Sequence, residues 1–173
     1  ASGVTQIPDE LAVAPAVDAR QQHAYLPGEH STLYTLSLAE GTCVETTYVG
    51  HEPGAIRVSP VLASRYVILV DNNRLNSSLL RVFLGDENGL ELKLVQEVTL
   101  EGHVDVAPVV RERWLSVITD RGAIYTFEIG TPDQPTPLTN VATTPPEDRD
   151  PLTRFFLMTG NQLFVADDRL TKY

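Results

Sequence analysis

Side chains able to do chemistry are few and scattered in this 173-residue sequence. The four histidines, His23, His30, His51 and His103, are too dispersed to form a local metal set. Cys43 is the single cysteine, so neither an intrachain disulfide nor a cysteine metal cluster can form. Within a β-type run, its expected role is that of a small buried apolar side chain. There is no Gly-x-Ser-x-Gly elbow, no Gly-rich phosphate loop carrying Lys, and no His-Glu-x-x-His. Asp167 and Asp168 are adjacent, and neighbours on a strand point to opposite faces, so they cannot converge on one substrate. Asp148 and Asp150 read as surface acids. A carboxylate site around a channel, drawn from Asp18, Asp105 and Asp120, would rest on fold alone, and fold does not imply function.

The densest polar stretch is Asp71, Asn72, Asn73, Arg74 and Asn76. Its oxygens could serve a hard cation, but turns select Asp and Asn for backbone reasons. The stretch is therefore read as a recognition loop rather than a metal site. Asn76-Ser77-Ser78 is also a glycosylation triplet, of consequence only in a secreted eukaryotic protein. No catalytic, cofactor-binding or metal-binding residue is assigned, and no cofactor is expected. Lys plus Arg number 13 against 23 Asp plus Glu, a net charge of −10. Such a surface repels phosphates, which disfavours nucleic acid and anionic membrane as partners. No apolar run approaches the roughly 18 to 20 residues that cross a bilayer. The opening residues, ASGVTQIPDE, lack the basic flank and apolar stretch of a signal peptide.

The elements that would carry these residues are short strands. Runs rich in Val, Ile, Leu, Tyr and Thr recur between Gly, Asn, Asp and Pro, without helical spacing of apolar residues. Hairpin turns are expected at Pro27-Gly28-Glu29-His30, Asp71-Asn72-Asn73, Asp120-Arg121-Gly122 and Gly160-Asn161. Six of the 12 prolines fall between Pro132 and Pro151. That stretch is expected to be loop or edge, with Pro145 to Asp150 an exposed connector.

A repeat organises the whole chain. Val13-Ala14-Pro15-Ala16-Val17, Val58-Ser59-Pro60-Val61-Leu62 and Val106-Ala107-Pro108-Val109-Val110 share one motif, with prolines 45 and 48 residues apart. A second motif follows as Leu33-Tyr34-Thr35-Leu36, Leu80-Arg81-Val82-Phe83 and Ile124-Tyr125-Thr126-Phe127. Leu163-Phe164-Val165-Ala166 reads as its fourth copy, with Pro151 upstream. Between the motifs lie apolar strands at His23 to Leu26, Tyr66 to Val70, Trp114 to Thr119 and Phe155 to Thr159. Further β-like runs close the first three units at Cys43 to Val49, Glu91 to Leu100 and Thr136 to Ala142. Four strands in about 45 residues match a propeller blade. Tyr25, Tyr34, Tyr66, Trp114, Tyr125, Phe127 and Phe156 are expected to form core between blades. The expectation is an all-β partial propeller: three complete four-stranded antiparallel blades at about 11–50, 56–101 and 104–142, and an incomplete fourth at 151–173.

Ser59-Pro60-Val61-Leu62, Ala107-Pro108-Val109-Val110 and Leu33-Tyr34-Thr35-Leu36-Ser37-Leu38-Ala39-Glu40-Gly41 resemble the blades of PQQ-like quinoprotein propellers. The resemblance runs from about Ala12 to Asp168. It implies the propeller fold and suggests a periplasmic or other extracytoplasmic setting. The tryptophans that lock quinoprotein blades are missing after Gly41 and Gly89, and there is no adjacent cysteine pair. Gly50-His51 and Gly102-His103 also resemble the Gly-His that precedes WD40-type blades, without a closing Trp-Asp. Repetition of these histidines favours a structural job, holding a turn by hydrogen bonds.

Gly3 to Ile7 reads as the last strand of a preceding blade, and the fourth unit has no room for its outer strand. The sequence is thus expected to be a piece of a longer chain, with open faces at both ends that a homodimer would hide. The function expected is a non-catalytic scaffold that binds a protein partner or neighbouring domains of the parent chain. The runner-up is part of a quinone-dependent dehydrogenase.

Overall fold

Pro15, Pro60 and Pro108 each stand one residue before a strand. Proline has no N–H to give a ladder, so each strand starts after the ring rather than at the valine before it. The computed structural model describes residues 4–20, 22–50, 52–147, 150–159 and 162–173. These residues contain strands and turns and no helix. The first sheet holds β1 (Ala16–Val17), β2 (His23–Pro27), β3 (Thr32–Ser37) and β4 (Thr42–Tyr48). The second holds β5 (Val61–Ala63), β6 (Tyr66–Asp71), β7 (Ser77–Gly85) and β8 (Leu92–Glu101). The third holds β9 (Val109–Arg111), β10 (Trp114–Ile118), β11 (Ile124–Ile129) and β12 (Leu138–Thr144). The fourth holds β13 (Phe155–Thr159), β14 (Gln162–Ala166) and β15 (Leu170–Lys172). Every sheet is an antiparallel meander in chain order. The chain is an all-β partial propeller.

The repeat extends to the irregularities. Register slips at Thr35/Leu36, Val82/Phe83 and Thr126/Phe127, each time at the second motif. In each case one outer-strand valine is passed over, Val44, Val95 or Val141. A bulge at this place adds local twist to the blade's outer edge. The residue after the valine then reaches across to the next blade. Glu45 Oε2 accepts the N–H of Leu92 at 2.9 Å. Gln96 clasps Leu138 twice, accepting its N–H at 2.7 Å and donating to its carbonyl at 2.9 Å. The third copy is Ala142, which has no such group.

Blades bury one another. Tyr66, Ile68, Val70, Leu80 and Val82 pack with Leu115, Val117, Tyr125 and Phe127 of the third blade. From the other face of the second blade, Val67, Leu69 and Phe83 pack with Tyr25, Leu33 and Val49. A strand buried on both faces must be apolar at every position, which explains the unbroken run Tyr66 to Val70. The first strands come together, β1 against β5 and β5 against β9. Arg111 Nη1 approaches the carbonyl of Met158 at 3.5 Å, placing β13 next in that series. Five of the expected core aromatics, Tyr25, Tyr34, Tyr66, Tyr125 and Phe127, are buried. Trp114 is half-buried beneath the Arg113 guanidinium, and Phe156 packs against Ile118 and Ile124.

The fourth sheet corrects the reading of Leu163 to Ala166. β13 and β14 are joined by two residues, as β5–β6 and β9–β10 are. Arg154 in the preceding connector bonds Asp167 just after β14, as His103 N–H bonds Asp120 just after β10. Leu163 to Ala166 is therefore the second strand of its blade, not the third, and Phe155 to Thr159 is the first. Proline spacing misled because Pro151 lies four residues before its strand.

The N-terminal segment also differs from expectation. Val4 to Ile7 pairs with no strand among the described residues, and Gly3 lies outside them. Ile7, with Leu36, packs against Ala24, Leu26 and Tyr34 of the first blade. Thr5 Oγ1 donates to the carbonyl of Gly41. Asp9 then pins the segment at the other end, accepting from His30 N at 3.0 Å and lying 2.8 Å from His30 Nδ1. The His30 backbone N–H, then its ring, holds the Asp9 carboxyl below the usual range. The hydrogen bond to Asp9, with its charge, raises the His30 ring.

Replacing Gln96 with Ala strands the Leu138 N–H and carbonyl, and should lower stability by about 1–3 kcal/mol in chemical denaturation. The Asp9–His30 pin should be complete between about pH 4 and about pH 6.5. Asp9 contributes above its unfolded value, and that contribution fades as pH falls through its lowered folded value. His30 contributes below its unfolded value and loses it as pH rises through its raised one. Amide exchange at residues 5–10, corrected for intrinsic pH dependence, should be slowest in that window, and Asp9→Asn should flatten the profile.

Candidate functional site

The β6–β7 turn is the polar loop singled out from sequence, and the structure divides it in two. Asp71 and Asn72 are buried. Asp71 Oδ2 lies 3.1 Å from Arg81 Nη2, and its Oδ1 accepts the Asn73 N–H at 3.0 Å. Arg81 also pairs with Glu97 at 3.2 Å and donates to the carbonyl of Val49. Asn72 uses both ends of its amide on Val104, donating to the carbonyl at 2.9 Å and accepting the N–H at 3.0 Å. Ser78 Oγ lies 2.6 Å from Asn72 Oδ1 and 2.8 Å from the carbonyl of Gly102. Buried polar groups left without partners are costly, and this network serves its own members.

Asn73, Arg74 and Asn76 are exposed. Between them stands Leu75, 87% exposed, which sequence reading passed over. The backbone beneath this tip is held from both sides. His103 Nε2 donates to the carbonyl of Arg74 at 2.7 Å, and Gly102 N donates to that of Asn76 at 2.9 Å. His103 thus holds a turn, the job its repeated position suggested; His51 lies outside the described residues. Gly102 has φ of +90°, and a Cβ there would meet Asp120 Oδ1 at 2.6 Å, so only glycine fits beneath the loop.

The same arrangement recurs along the row. The backbone N–H groups of Glu29, Asn72 and Asp120 donate to the carbonyls of Glu10, Ala55 and His103 at 2.7–2.8 Å. Each connector therefore crosses the second turn of the blade it enters. In the connector to the fourth blade, Arg154 is buried and pairs with Glu147 at 2.9 Å and Asp167 at 3.2 Å while donating to the carbonyl of Asp120. The connector expected to be wholly exposed is anchored there by Glu147. Asp167 is taken by this ion pair, apart from any joint role with Asp168; Asp148 lies outside the described residues.

Other candidates are dispersed. His23 pairs with Asp18 at 3.2 Å, and Asp105 with Arg57 at 3.3 Å. Among the described residues, no three His, Cys, Asp or Glu side chains gather into a metal-holding group. Cys43 is exposed rather than buried, because β4 is the outermost strand of its blade. On the opposite end of the blades, a cavity of about 350 Å³ lies between the first and second sheets, lined by Asp18, Arg20, Tyr25, Arg65 and Asp86. Its charged groups serve the structure: Arg65 donates to Gly85 O at 2.7 Å, and Asp86 Oδ1 accepts Leu90 N–H at 2.7 Å. Burial, then the Asp18, Asp86 and Glu45 charges, pushes the Tyr25 phenol up to about 12.

No family model and no curated protein matches the chain. Solved structures do. The computationally designed Ika4 protein matches at TM-score 0.70 and 7% identity, covering 100% of this chain and 98% of that one. BamB from Moraxella catarrhalis matches at 0.63 and 14%, covering 95% and 47%. The β-propeller domain of Cps50 (Swd1) from Myceliophteria thermophila matches at 0.61 and 12%, covering 92% and 52%. These likenesses show the propeller fold. The chain spans about half the length of the two natural propellers.

Replacing Asn72 with Ala removes both partners of Val104 in a buried site. Stability should fall by about 2–4 kcal/mol, whereas Asn73→Ala should change it by no more than about 0.5 kcal/mol. Thermal unfolding of the two variants separates the structural half of the loop from its exposed half.

Proposed function

We propose that this chain is a non-catalytic propeller segment of the PQQ-like type that binds a protein partner or a neighbouring domain of its parent chain. The observation that carries this reading is Leu75, a large apolar side chain held in water on a loop whose base and backbone are fixed by hydrogen bonds. An unpinned loop would lose conformational entropy on binding; this one is already ordered, so contact costs less. Arg74 and Asn76 flank the tip with a cation and an amide, fitting a partner with a shallow apolar socket and an acidic rim. The missing quinoprotein tryptophans and cysteine pair support a binding role over quinone chemistry. Similarity to the natural propellers supports a scaffold, without transferring either protein's partner.

A photo-crosslinking residue at position 75 should capture a discrete partner, which an equivalent probe at Asn88 should not. Added wild-type chain should compete for it. Leu75→Asp should fail to compete while unfolding at the wild-type temperature. Equal competition by Leu75→Asp would remove the loop from the interaction.

A further inference from the structure

The two ends of the row are complementary. The fourth blade has β13, β14 and β15, the first three strands of the repeat, and β15 has no strand on its outer side among the described residues. The first blade carries the converse, an extended segment with no sheet of its own. Glu10, Ala55 and His103 are equivalent through the backbone bonds they accept. Three residues before Glu10 and His103 stand Ile7 and Leu100, each an apolar residue lying on the blade that follows. Val4 to Ile7 thus occupies, against the first blade, the place that the end of β8 occupies against the third. It is placed as an outer strand, and among the described residues no third strand lies beside it.

We propose that a second copy of this chain docks head to tail, so that Val4–Ile7 of one copy completes the fourth blade of the other beside β15. The faces match in chemistry. On the fourth blade, Phe156, Leu163 and Val165 turn toward the third. Phe155 and Leu157, both 64% exposed, and Leu170 alternate with them and face outward. Opposite, the first blade buries Ala24, Leu26 and Tyr34 with Ile7 and Leu36 packed against them, and leaves Val4, Leu11, Val17 and Leu38 exposed. Joining the two repeats the burial seen between successive blades. Charge favours the same polarity: residues 1–50 carry six acids against one base, and residues 151–173 carry three bases against two acids.

The incoming strand has a seat. A cleft of about 540 Å³ lies between the third and fourth blades, lined by Trp114, Ile124, Val141, Ala142, Leu163 and Tyr173. Val141 and Ala142 of β12 and Tyr173, next after β15, stand on its wall. Stoichiometry agrees as well. One chain spans 47% of BamB and 52% of the Swd1 domain, and two copies together carry eight sheets. Eight sheets fall within the four to eight blades of closed propellers, and a heterologous contact that closes leaves no free edge. This interface is distinct from the Leu75 loop, and neither proposal depends on the other.

Light scattering on the 173-residue chain should give about twice 19.0 kDa. Leu157→Asp should weaken the dimer about tenfold or more. In a Cys43→Ser background, mixed Val4→Cys and Thr171→Cys chains should form a disulfide-linked dimer, because Val4 stands to Thr171 as Glu97 stands to Arg81, and neither variant should do so alone. The pair needs no core substitution, so it reads the contact even if Leu157→Asp misfolds. A monomer at all concentrations, as when further blades of a longer chain cover these faces, would overturn the proposal. So would links of Val4→Cys to itself, which signify a face-to-face dimer.

Discussion

Everything in this structure follows from sheets that are apolar on two faces. A four-stranded meander has no interior, so each face must find another sheet, and the second blade shows the result. Its central strand is buried at all positions because Tyr66, Ile68 and Val70 look one way while Val67 and Leu69 look the other. At roughly 25 cal/mol per Å² of apolar area, the contacts between blades are the main favourable contribution to folding. The hydrogen bonds within a blade mainly set its shape. Such an architecture is stabilised by neighbours, as expected of a repeat protein.

Polar groups then decide how the blades are joined. The outer valine bulge turns the following side chain toward the next blade, where Glu45 and Gln96 clasp Leu92 and Leu138. At the other rim, connectors are tied to the turns they cross by backbone bonds and by Asn72, His103 and Arg154. Two tyrosines on second strands complete the pattern: Tyr25 donates to the carbonyl of Gly89 and Tyr66 to that of Thr131, each on the next blade. These groups are buried or nearly so, and they fix registration between sheets that apolar contact alone would leave free to slide.

The same economy accounts for the candidate site. The β6–β7 loop is longer than a tight turn needs, yet its base is spent entirely on structure. What remains for a partner is its tip. Sequence composition drew attention to oxygen-rich Asp71 and Asn72, whose side chains point inward, and passed over Leu75, because an apolar residue in a run of turn formers carries no signal by itself. Only its exposure, together with the immobility of the backbone beneath it, makes it a feature.

Much of the fold was legible because it is periodic. Recurring prolines, strand-length apolar runs and turn residues at intervals near 45 require repeated meanders, and the unbroken Tyr66 to Val70 requires cover on both faces. The fourth blade escaped that logic: with Pro151 displaced from its strand, Leu163 to Ala166 resembles a third strand as well as a second, and the two-residue joint between β13 and β14, together with the bond from Arg154 to Asp167, distinguishes them. Cys43 looked like core for a related reason, since a β-like run does not by itself reveal that it is the outermost strand of its blade. Composition and period are properties of the chain and determined the blades. Which polar atoms meet, and which faces stay open, depend on neighbours brought together from 30 to 65 residues away, and those only the tertiary structure decided.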